Sequence, residues 1–373
     1  MTEMNLKNSF FEKYADVLVN YSVKVKTGDL VLIKSESYLA QPLIKEIYKA
    51  VLKNGAHPVV RCAIDGLSEI FIKNANSEQL NYIDAMTKLE FNVADKLISI
   101  GAPLNTKSMS NADADKMAIR SKAARELSQT MLKRSEEGKL NWVIADFPTQ
   151  ALAQEAKMSL DEYFEFVESA CYLDLDNPVQ KWLNIGKEQT RTAEILNKTK
   201  KLYIKGEKTD ITFNVEGRKW ISCDGLNNFP DGEIFTSPVE NDIEGVIYFD
   251  FPAIYKGNSA HKIQLKIENG KVIEAHAETG EDFLLSMLDM DEGSRFIGEI
   301  AIGTNERIKN VTGNILFDEK IGGSIHMALG ASYPETGGKN VSGLHWDIIK
   351  NMKQNSFIYA DDKLIYKNGK FVI

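Results

Sequence analysis

Apolar residues follow two different patterns along the chain, and the change comes near residue 200. In the first half, short apolar runs predict strands at 29–35, 58–64, 96–100 and 142–146. Between the first two strands, apolar residues at helical spacing predict a helix over 43–52, which Gly55 ends. A strand–helix–strand order is typical of a parallel sheet, so we expect an α/β domain in which the strand at 58–64 is buried.

Helices are expected between and after these strands. Residues 112–136 have the spacing of an exposed amphipathic helix. The pattern from 159 to 199 is also helical, is interrupted at Pro178, and forms the bridge to the second half. The positions expected to be buried in this bridge are Tyr163, Phe164, Phe166, Val167, Trp182, Leu183, Ile195 and Leu196.

Beyond residue 200, polar and apolar residues alternate with the period of a half-buried strand. Asn269-Gly270 stands between two such runs and predicts a tight hairpin, because both central residues of the favoured turn need a positive φ angle. The chain end, FIYADDKLIYKNGKFVI, is expected to finish as a strand of the same sheet. We therefore predict an α/β domain with a parallel sheet over 1–190, and an α+β domain dominated by antiparallel sheet over 191–373.

The composition narrows the functions open to such a protein. Its 373 residues include 45 Lys and Arg against 53 Asp and Glu, a net charge of −8, which argues against nucleic acid as a partner. Cys62, Cys171 and Cys223 lie far apart, so neither a disulfide framework nor a thiolate zinc site is indicated, and a cytoplasmic location is expected. We expect neither an export signal nor a membrane partner, since no apolar stretch approaches the roughly 20 residues that span a bilayer.

Several common catalytic fingerprints are missing from the sequence. It has no GxGxxG after a strand, no GxxxxGK[ST] phosphate loop, no HExxH and no GxSxG nucleophile elbow. Dinucleotide binding, P-loop chemistry and an α/β-hydrolase site are therefore not indicated.

Imidazole and carboxylate groups gather in the second half instead. His345 and Asp347 are one residue apart, so on a strand both side chains project from the same face, where they can bind one divalent ion. His326 and Tyr333 are separated by two helical turns if their segment is helical, and need a turn otherwise.

Three glutamates precede or accompany these groups. Glu233 is expected in a loop bounded by Gly and Pro, Glu299 at the start of a strand, and Glu319 within ILFDEKIGG. Taken singly, each glutamate is typical of solvated surface charge, and Tyr333 of a half-buried core aromatic. Single histidines are more often structural or exposed than ligands, and on that ground we set aside His57, His261 and His276.

Taken in order, four segments resemble the signature blocks of the M29 peptidases, the aminopeptidase T and aminopeptidase S family of dinuclear metallo-aminopeptidases. They are PDGEIFTSP, RFIGEIAIG, ILFDEKIGGSIHMALGASYP and LHWD. FEKYADVLVNYSVKVKTGDLVLI near the start and YIKGEKTDITFNV after residue 200 are also similar to this family, so the resemblance extends over nearly the whole chain. The four blocks are specific, because each fixes a carboxylate, an imidazole or a phenol beside particular glycines and prolines.

The resemblance implies an enzyme that removes N-terminal residues from short peptides with a free N-terminus. It implies two divalent ions per chain (Zn, Co, Mn or Mg), a bridging hydroxide as the nucleophile, and a homodimer. Glu299 would bridge the ions and is a candidate proton acceptor, and Tyr333 would be a ligand or an oxyanion donor. The implied metal ligands are Glu233, Glu299, Glu319, His326, Tyr333, His345 and Asp347.

The implied ligand set carries four carboxylates, and two divalent ions balance their charge of −4. The segment between Glu319 and His326 is longer than in family members, and Gly232 stands where many relatives carry an acidic residue. Two other functions stay open. One is a peptide- or metabolite-binding protein on the same scaffold without turnover, and the other is a metal-dependent amidase for non-peptide substrates.

Overall fold

A computed structural model describes residues 3–255 and 257–373 of the chain. The α-helices are α1 (Glu3–Asp16), α2 (Gln41–Lys53), α3 (Leu67–Asn74), α4 (Ser77–Asn81), α5 (Ala85–Val93), α6 (Ala114–Glu136), α7 (Gln150–Glu155), α8 (Leu160–Ala170), α9 (Pro178–Leu196), α10 (Glu281–Leu288) and α11 (Ile315–Asp318). Short turns of π or 3-10 helix cover Val17–Ser22, Tyr38–Ala40 and Pro334–Thr336. Among the described residues, none of the helices combines the length and apolar character that a membrane crossing requires.

The strands are short and most of them lie in the second half of the chain. They are β1 (Leu30–Ser35), β2 (His57–Cys62), β3 (Lys96–Gly101), β4 (Asn141–Asp146), β5 (Lys201–Gly206), β6 (Thr209–Asn214), β7 (Ile221–Cys223), β8 (Asn228–Phe229), β9 (Glu233–Thr236), β10 (Ile243–Phe249), β11 (Ala253–Tyr255), β12 (Asn258–Ala260), β13 (Ile263–Glu268), β14 (Lys271–His276), β15 (Ile297–Gly303), β16 (Ser324–Gly330), β17 (His345–Asn351), β18 (Phe357–Ala360), β19 (Lys363–Lys367) and β20 (Lys370–Phe371).

Two compact units divide the chain. One comprises Met1–Val179 with Gly225–Pro230, and the other Gln180–Asp224 with Asp231–Ile373. We call the first the α/β unit and the second the antiparallel unit. The domain boundary after residue 190 stays a prediction from the sequence.

The α/β unit is built on a parallel sheet with the strand order β2-β1-β3-β4-β8. This confirms the expected parallel sheet. Its central strands are apolar and buried, as is typical of parallel sheets. Val31 and Ile33 of β1 and Ile98 of β3 are fully buried. The last strand, β8, is a two-residue segment that pairs with β4 from beyond residue 200, where the sequence pattern did not indicate it.

The burial expected for the strand at 58–64 is wrong. It forms β2, which lies at the edge of the sheet, and its residues are half-buried or exposed. An edge strand has a neighbour on one side only, so it can be as apolar as a central strand and still face solvent.

The long helices fit their sequence patterns in part. The described residues of α6 are all half-buried or exposed, as its spacing predicts. Tyr163 and Val167 of α8 are buried as expected, whereas Phe164 and Phe166 are only half-buried.

The buried face of α9 is narrower than the sequence suggests. Pro178 begins this helix, which is the position where its missing N–H is tolerated. Trp182 and Leu196 are buried as expected, but Leu183 and Ile195 are 43% and 37% exposed. Each of these two adjoins a buried residue and therefore points about 100° away from it around the helix.

The antiparallel unit contains two larger sheets and a small one. An eight-stranded sheet has the order β14-β13-β10-β6-β5-β18-β19-β20, a five-stranded sheet has the order β17-β16-β15-β9-β7, and β11 pairs with β12. The strand pairs in all three are antiparallel, as predicted for this half of the chain. Apolar side chains of the two larger sheets meet in one core.

The predicted hairpin and chain end are both confirmed. Asn269 and Gly270 have φ angles of 51° and 74° and connect β13 to β14. The last strand, β20, forms the edge of the eight-stranded sheet. Gly270 has a second constraint, because a Cβ atom there would lie 1.6 Å from the carbonyl oxygen of Glu240.

We expect Gly270→Ala to destabilise the protein more than Gly217→Ala. Both glycines have positive φ angles, but a Cβ atom on Gly217 meets open space. The expected loss of unfolding free energy is about 1 kcal/mol for Gly217→Ala and about 3 kcal/mol or more for Gly270→Ala. Urea unfolding of the two variants measures both losses, and equal losses would contradict the close approach to Glu240.

Candidate metal centre

The five-stranded sheet has one apolar face and one polar face, because alternate residues of a strand point to opposite sides. His326 of β16 pairs with Ala301 of β15, and Ala328 pairs with both Glu299 and Asp347. Paired residues of neighbouring antiparallel strands share a face, so these side chains project together. The residues of the same strands that point into the core are Ile234, Ile300, Ile302, Ile325, Met327, Leu329, Trp346 and Ile348.

Strand β9 and a bulge in β15 complete the polar face. Glu233 begins β9 and pairs with Gly303, so it lies in a strand and not in the expected loop. The pairing of β15 shifts between Ile297 and Glu299, a local irregularity that sets the direction of the Glu299 side chain. The residues that separate the polar side chains on this face are small, which leaves space above the sheet. They are Ala301, Gly303, Ala328 and Gly330.

Glu299 lies between two imidazoles. Its Oε1 is 3.6 Å from His326 Nε2 and its Oε2 is 3.3 Å from His345 Nε2. His326 Nε2 is also 3.2 Å from Glu233 Oε2, and His345 Nε2 is 3.6 Å from Asp347 Oδ1. The structure thus brings together five of the side chains singled out from the sequence, with Glu299 at the centre.

The remaining two sequence candidates approach from loops. Tyr333 follows β16 after a turn, and its hydroxyl is 3.3 Å from His345 Nε2. Glu319 follows α11, and one of its oxygens lies within 4.8 Å of ligand atoms of His326 and Asp347. The strand conformation of β16 excludes the helical alternative for the segment from His326 to Tyr333.

The second nitrogen of His345 fixes the direction of its ring. Nδ1 donates a hydrogen bond to the carbonyl of Ala331 at 2.9 Å, so Nε2 faces the carboxylates. The aromatic ring of Tyr333 packs edge-on against His345 and against Phe235. An imidazole held in this way by a backbone carbonyl is a common arrangement for a metal ligand.

Lys320 is a member of this site that the sequence did not reveal. Its side chain is completely buried, and Nζ is 2.6 Å from Glu233 Oε1 and 2.6 Å from Glu319 Oε1. Asp231 Oδ1 is 3.6 Å away. Lysine beside glutamate in FDEK is ordinary surface sequence, so only the fold shows that this ammonium is enclosed among carboxylates.

Burial and mutual charge shift the pKa values of these groups in opposite directions. Burial opposes ionisation of Glu233, but Lys320 and His326 outweigh it and lower its pKa to about 2. Burial, with repulsion from Glu233 and Asp347, raises the pKa of Glu319 to about 8 despite the attraction of Lys320. Burial would lower the pKa of His345, but Asp347 and Glu299 raise it to about 10. The same balance raises the pKa of His326 well above its usual value.

The donor set fits a divalent cation. Glu233 Oε2 and Asp347 Oδ1 are buried oxygens without a hydrogen bond to the described residues. The charged group nearest to each is an imidazole nitrogen, and a bound cation can satisfy these buried oxygens in its place. Three groups here have ligand atoms close enough to share an ion: Glu233, Glu299 and His326; Glu299, His345 and Asp347; and Glu319, His326 and Asp347.

The histidines that we set aside lie elsewhere. His57 belongs to the α/β unit and His276 is exposed at the end of β14. His261 is half-buried and its ring nitrogen is 3.2 Å from the hydroxyl of Ser259. Within the part of the chain that the structure describes, none of the three belongs to a group of ligand atoms close enough to share an ion.

Comparison with known proteins adds a family and a fold. A family model described as thermophilic metalloprotease (M29) matches residues 7–371. Aminopeptidase AmpS of Bacillus subtilis (strain 168) is 25% identical over 391 residues, covering 95% of this chain and 92% of the relative. Wild-type AmpT from Thermus thermophilus has a TM-score of 0.85 at 22% identity, covering 98% of this chain and 99% of that one.

A second solved structure shares the fold at a greater distance. It is 2,5-dihydroxypyridine dioxygenase from Pseudomonas putida KT2440, with a TM-score of 0.58 and 15% identity over 99% of this chain and 97% of that one. The fold alone therefore does not determine the reaction.

Metal binding at neutral pH is expected to release protons. Without metal, the raised pKa values keep His326 and His345 protonated, and an imidazole must lose that proton to ligate an ion. We expect about one proton per histidine at neutral pH, and less from His345 as the pH rises through about 10. Titration calorimetry in buffers of different ionisation enthalpy measures this release.

The exposed His276 provides the control for this measurement. His276→Ala is expected to leave the number of released protons unchanged, and His345→Ala to reduce it by about one. Metal binding without proton release would contradict the protonated state of the two site histidines.

Proposed function

This chain belongs to the M29 family of thermophilic metalloproteases, and from that premise we propose that it is a metal-dependent aminopeptidase acting on short peptides. The observation that carries the proposal is the meeting of Glu233, Glu299, His326, His345 and Asp347 on one buried face of the five-stranded sheet. These are ligand types that bind divalent ions in hydrolytic enzymes.

The ligands divide into two cation positions that share one residue. We call Glu233, Glu299 and His326 the Glu233 position, and Glu299, His345 and Asp347 the His345 position. Glu299 belongs to both, and its two oxygens face different imidazoles. This supports Glu299 as the bridge between two ions.

Two divalent ions held there would supply a bridging hydroxide at neutral pH and polarise the carbonyl of the scissile peptide bond. Carboxylates and imidazoles of this kind accept Zn, Co, Mn or Mg. The identity of the ion therefore depends on the supply of metal as much as on the ligands.

The side chains around the two positions have separate tasks. The hydroxyl of Tyr333, held near His345, can donate a hydrogen bond to the oxyanion that forms at the substrate carbonyl, or serve as a further ligand. Glu299 is the candidate proton acceptor. Glu319 is held by Lys320 beside the two positions, and its raised pKa means that it can gain or lose a proton near neutral pH.

Carboxylates also explain why the substrate would need a free N-terminus. The α-amino group of a peptide is a cation at neutral pH, or a ligand when it loses its proton. A site with four acidic side chains stabilises either form, whereas an internal peptide bond offers neither. The homodimer and the cytoplasmic location remain predictions from the sequence.

Chelation is expected to abolish activity on aminoacyl anilides, and readdition of Zn²⁺, Co²⁺, Mn²⁺ or Mg²⁺ to restore it. Glu299→Gln is expected to lower kcat at least about a thousandfold and to reduce the bound metal, because the bridge between the two positions is lost. Turnover is followed by release of the aniline, and metal by elemental analysis.

Glu278→Gln is the matched control, since this exposed carboxylate of the same unit forms an ion pair with Lys262 and belongs to neither cation position. It is expected to retain activity and metal content. Full turnover by Glu299→Gln would overturn the proposed function.

Acetylation of the substrate amine provides an independent test. An aminoacyl anilide and its N-acetylated form contain the same scissile bond, but the acetylated form cannot present a cationic or ligating amine. We expect kcat/KM for the acetylated form to fall by at least about a hundredfold, equivalent to about 2.7 kcal/mol. Equal rates would favour an amidase over an aminopeptidase, and recovery of the intact anilide after tight binding would favour a binding protein.

A further inference from the structure

Lys320 introduces a fixed positive charge on one side of the proposed two-ion site. Its ammonium contacts Glu233 and Glu319 at 2.6 Å each and Asp231 at 3.6 Å, and its side chain has no exposed surface. A buried ammonium among carboxylates is held in place by strong attraction, so it cannot move aside into solvent.

We propose that Lys320 makes the two cation positions unequal, so that the His345 position binds a divalent ion tightly and the Glu233 position binds one weakly. This inference rests on the two-ion site of the proposed function. It concerns the order and strength of metal binding, which that function leaves open.

The first argument is the number of oxygens that each position offers. Lys320 engages Oε1 of Glu233, which leaves only Oε2 to face His326 at 3.2 Å. Glu233 can therefore ligate an ion through one oxygen but not through both. At the His345 position, Oδ1 of Asp347 is likewise buried without a hydrogen bond to a described residue, but the ion partner of this carboxylate among the described residues is His345 and not a lysine.

The second argument is electrostatic. Lys320 bonds directly to Glu233, a ligand of the Glu233 position. At the His345 position, the ion partner of Glu299 is the imidazole of His345 and not this ammonium. Repulsion between the ammonium and an incoming cation falls with distance, so it weakens binding most at the Glu233 position.

A third observation supports a charge-compensating part for this lysine. Cys223, Asp231 and Glu233 lie close enough together to hold a cation by themselves. The ammonium of Lys320 contacts both carboxylates of that group. Positive charge that a metal ion could have provided is thus already supplied by the chain.

The test is a calorimetric titration of the metal-free, full-length protein with Co²⁺. We expect two binding steps in the wild type, with dissociation constants at least about tenfold apart. Lys320→Met removes the charge and keeps a chain of similar length, so the weaker step is expected to tighten by about tenfold or more and the stronger step to change less.

Lys350→Met is the matched control. Lys350 is the other fully buried lysine of the antiparallel unit among the described residues, but its ammonium bonds to the backbone carbonyls of Glu207 and Tyr248. Its replacement is expected to leave the ratio of the two dissociation constants unchanged.

A second measurement needs no variant and guards against misfolding of Lys320→Met. Wild-type crystals are soaked in limiting Co²⁺, and anomalous scattering locates the ion. We expect the first ion beside Glu299, His345 and Asp347, and the second beside Glu233 only at higher concentration.

The outcomes separate this inference from the proposed function. Two steps of equal affinity in the wild type, an unchanged ratio in folded Lys320→Met, or first occupancy at the Glu233 position would each overturn the inference and leave the aminopeptidase in place. A protein that binds no Co²⁺ would overturn both. The inference would be supported by an active enzyme that binds Co²⁺ in two unequal steps and whose Lys320→Met variant has more similar dissociation constants for the two steps.

Discussion

Acidic side chains gathered on a buried surface need positive charge close by, and this requirement governs the antiparallel unit. Glu233, Glu299 and Asp347 project from one sheet face, with Glu319 beside them. Without metal, the compensating charge comes from His326 and His345, whose pKa values are raised, and from Lys320. The same arrangement is costly for the protein alone but binds cations strongly. A divalent ion can displace the protons of the two imidazoles, which the neighbouring carboxylates stabilise.

The two faces of the sheet have separate roles, one in stability and one in binding. One face contributes Ile300, Met327 and Trp346 to the apolar core, which holds the strands in place. The other face carries the ligands, separated by Ala and Gly residues that leave room between them. Ligands placed on paired strands are more rigid than ligands on loops, so their geometry changes little when an ion binds.

The fold and the reaction are decided at different levels. A solved aminopeptidase and a solved dioxygenase both share this chain's fold, at TM-scores of 0.85 and 0.58. The reaction of this chain is therefore argued from the set of side chains on its own polar face and the charges that surround them. In this chain the set includes a buried ammonium between Glu233 and Glu319, which the strand topology alone does not require.

The sequence by itself determined the elements and the type of chemistry. Alternation, apolar runs and Asn269-Gly270 predicted strands and a hairpin because these are local properties of the backbone, and the spacing of His345 and Asp347 placed them on one face for the same reason. Only the tertiary structure decided that Glu233, Glu299 and His326 meet them, because strand order, register and a bulge arise from contacts between distant segments. It also decided the edge position of β2, the outward direction of Leu183 and the burial of Lys320, since exposure depends on which surfaces pack together and not on the residue type.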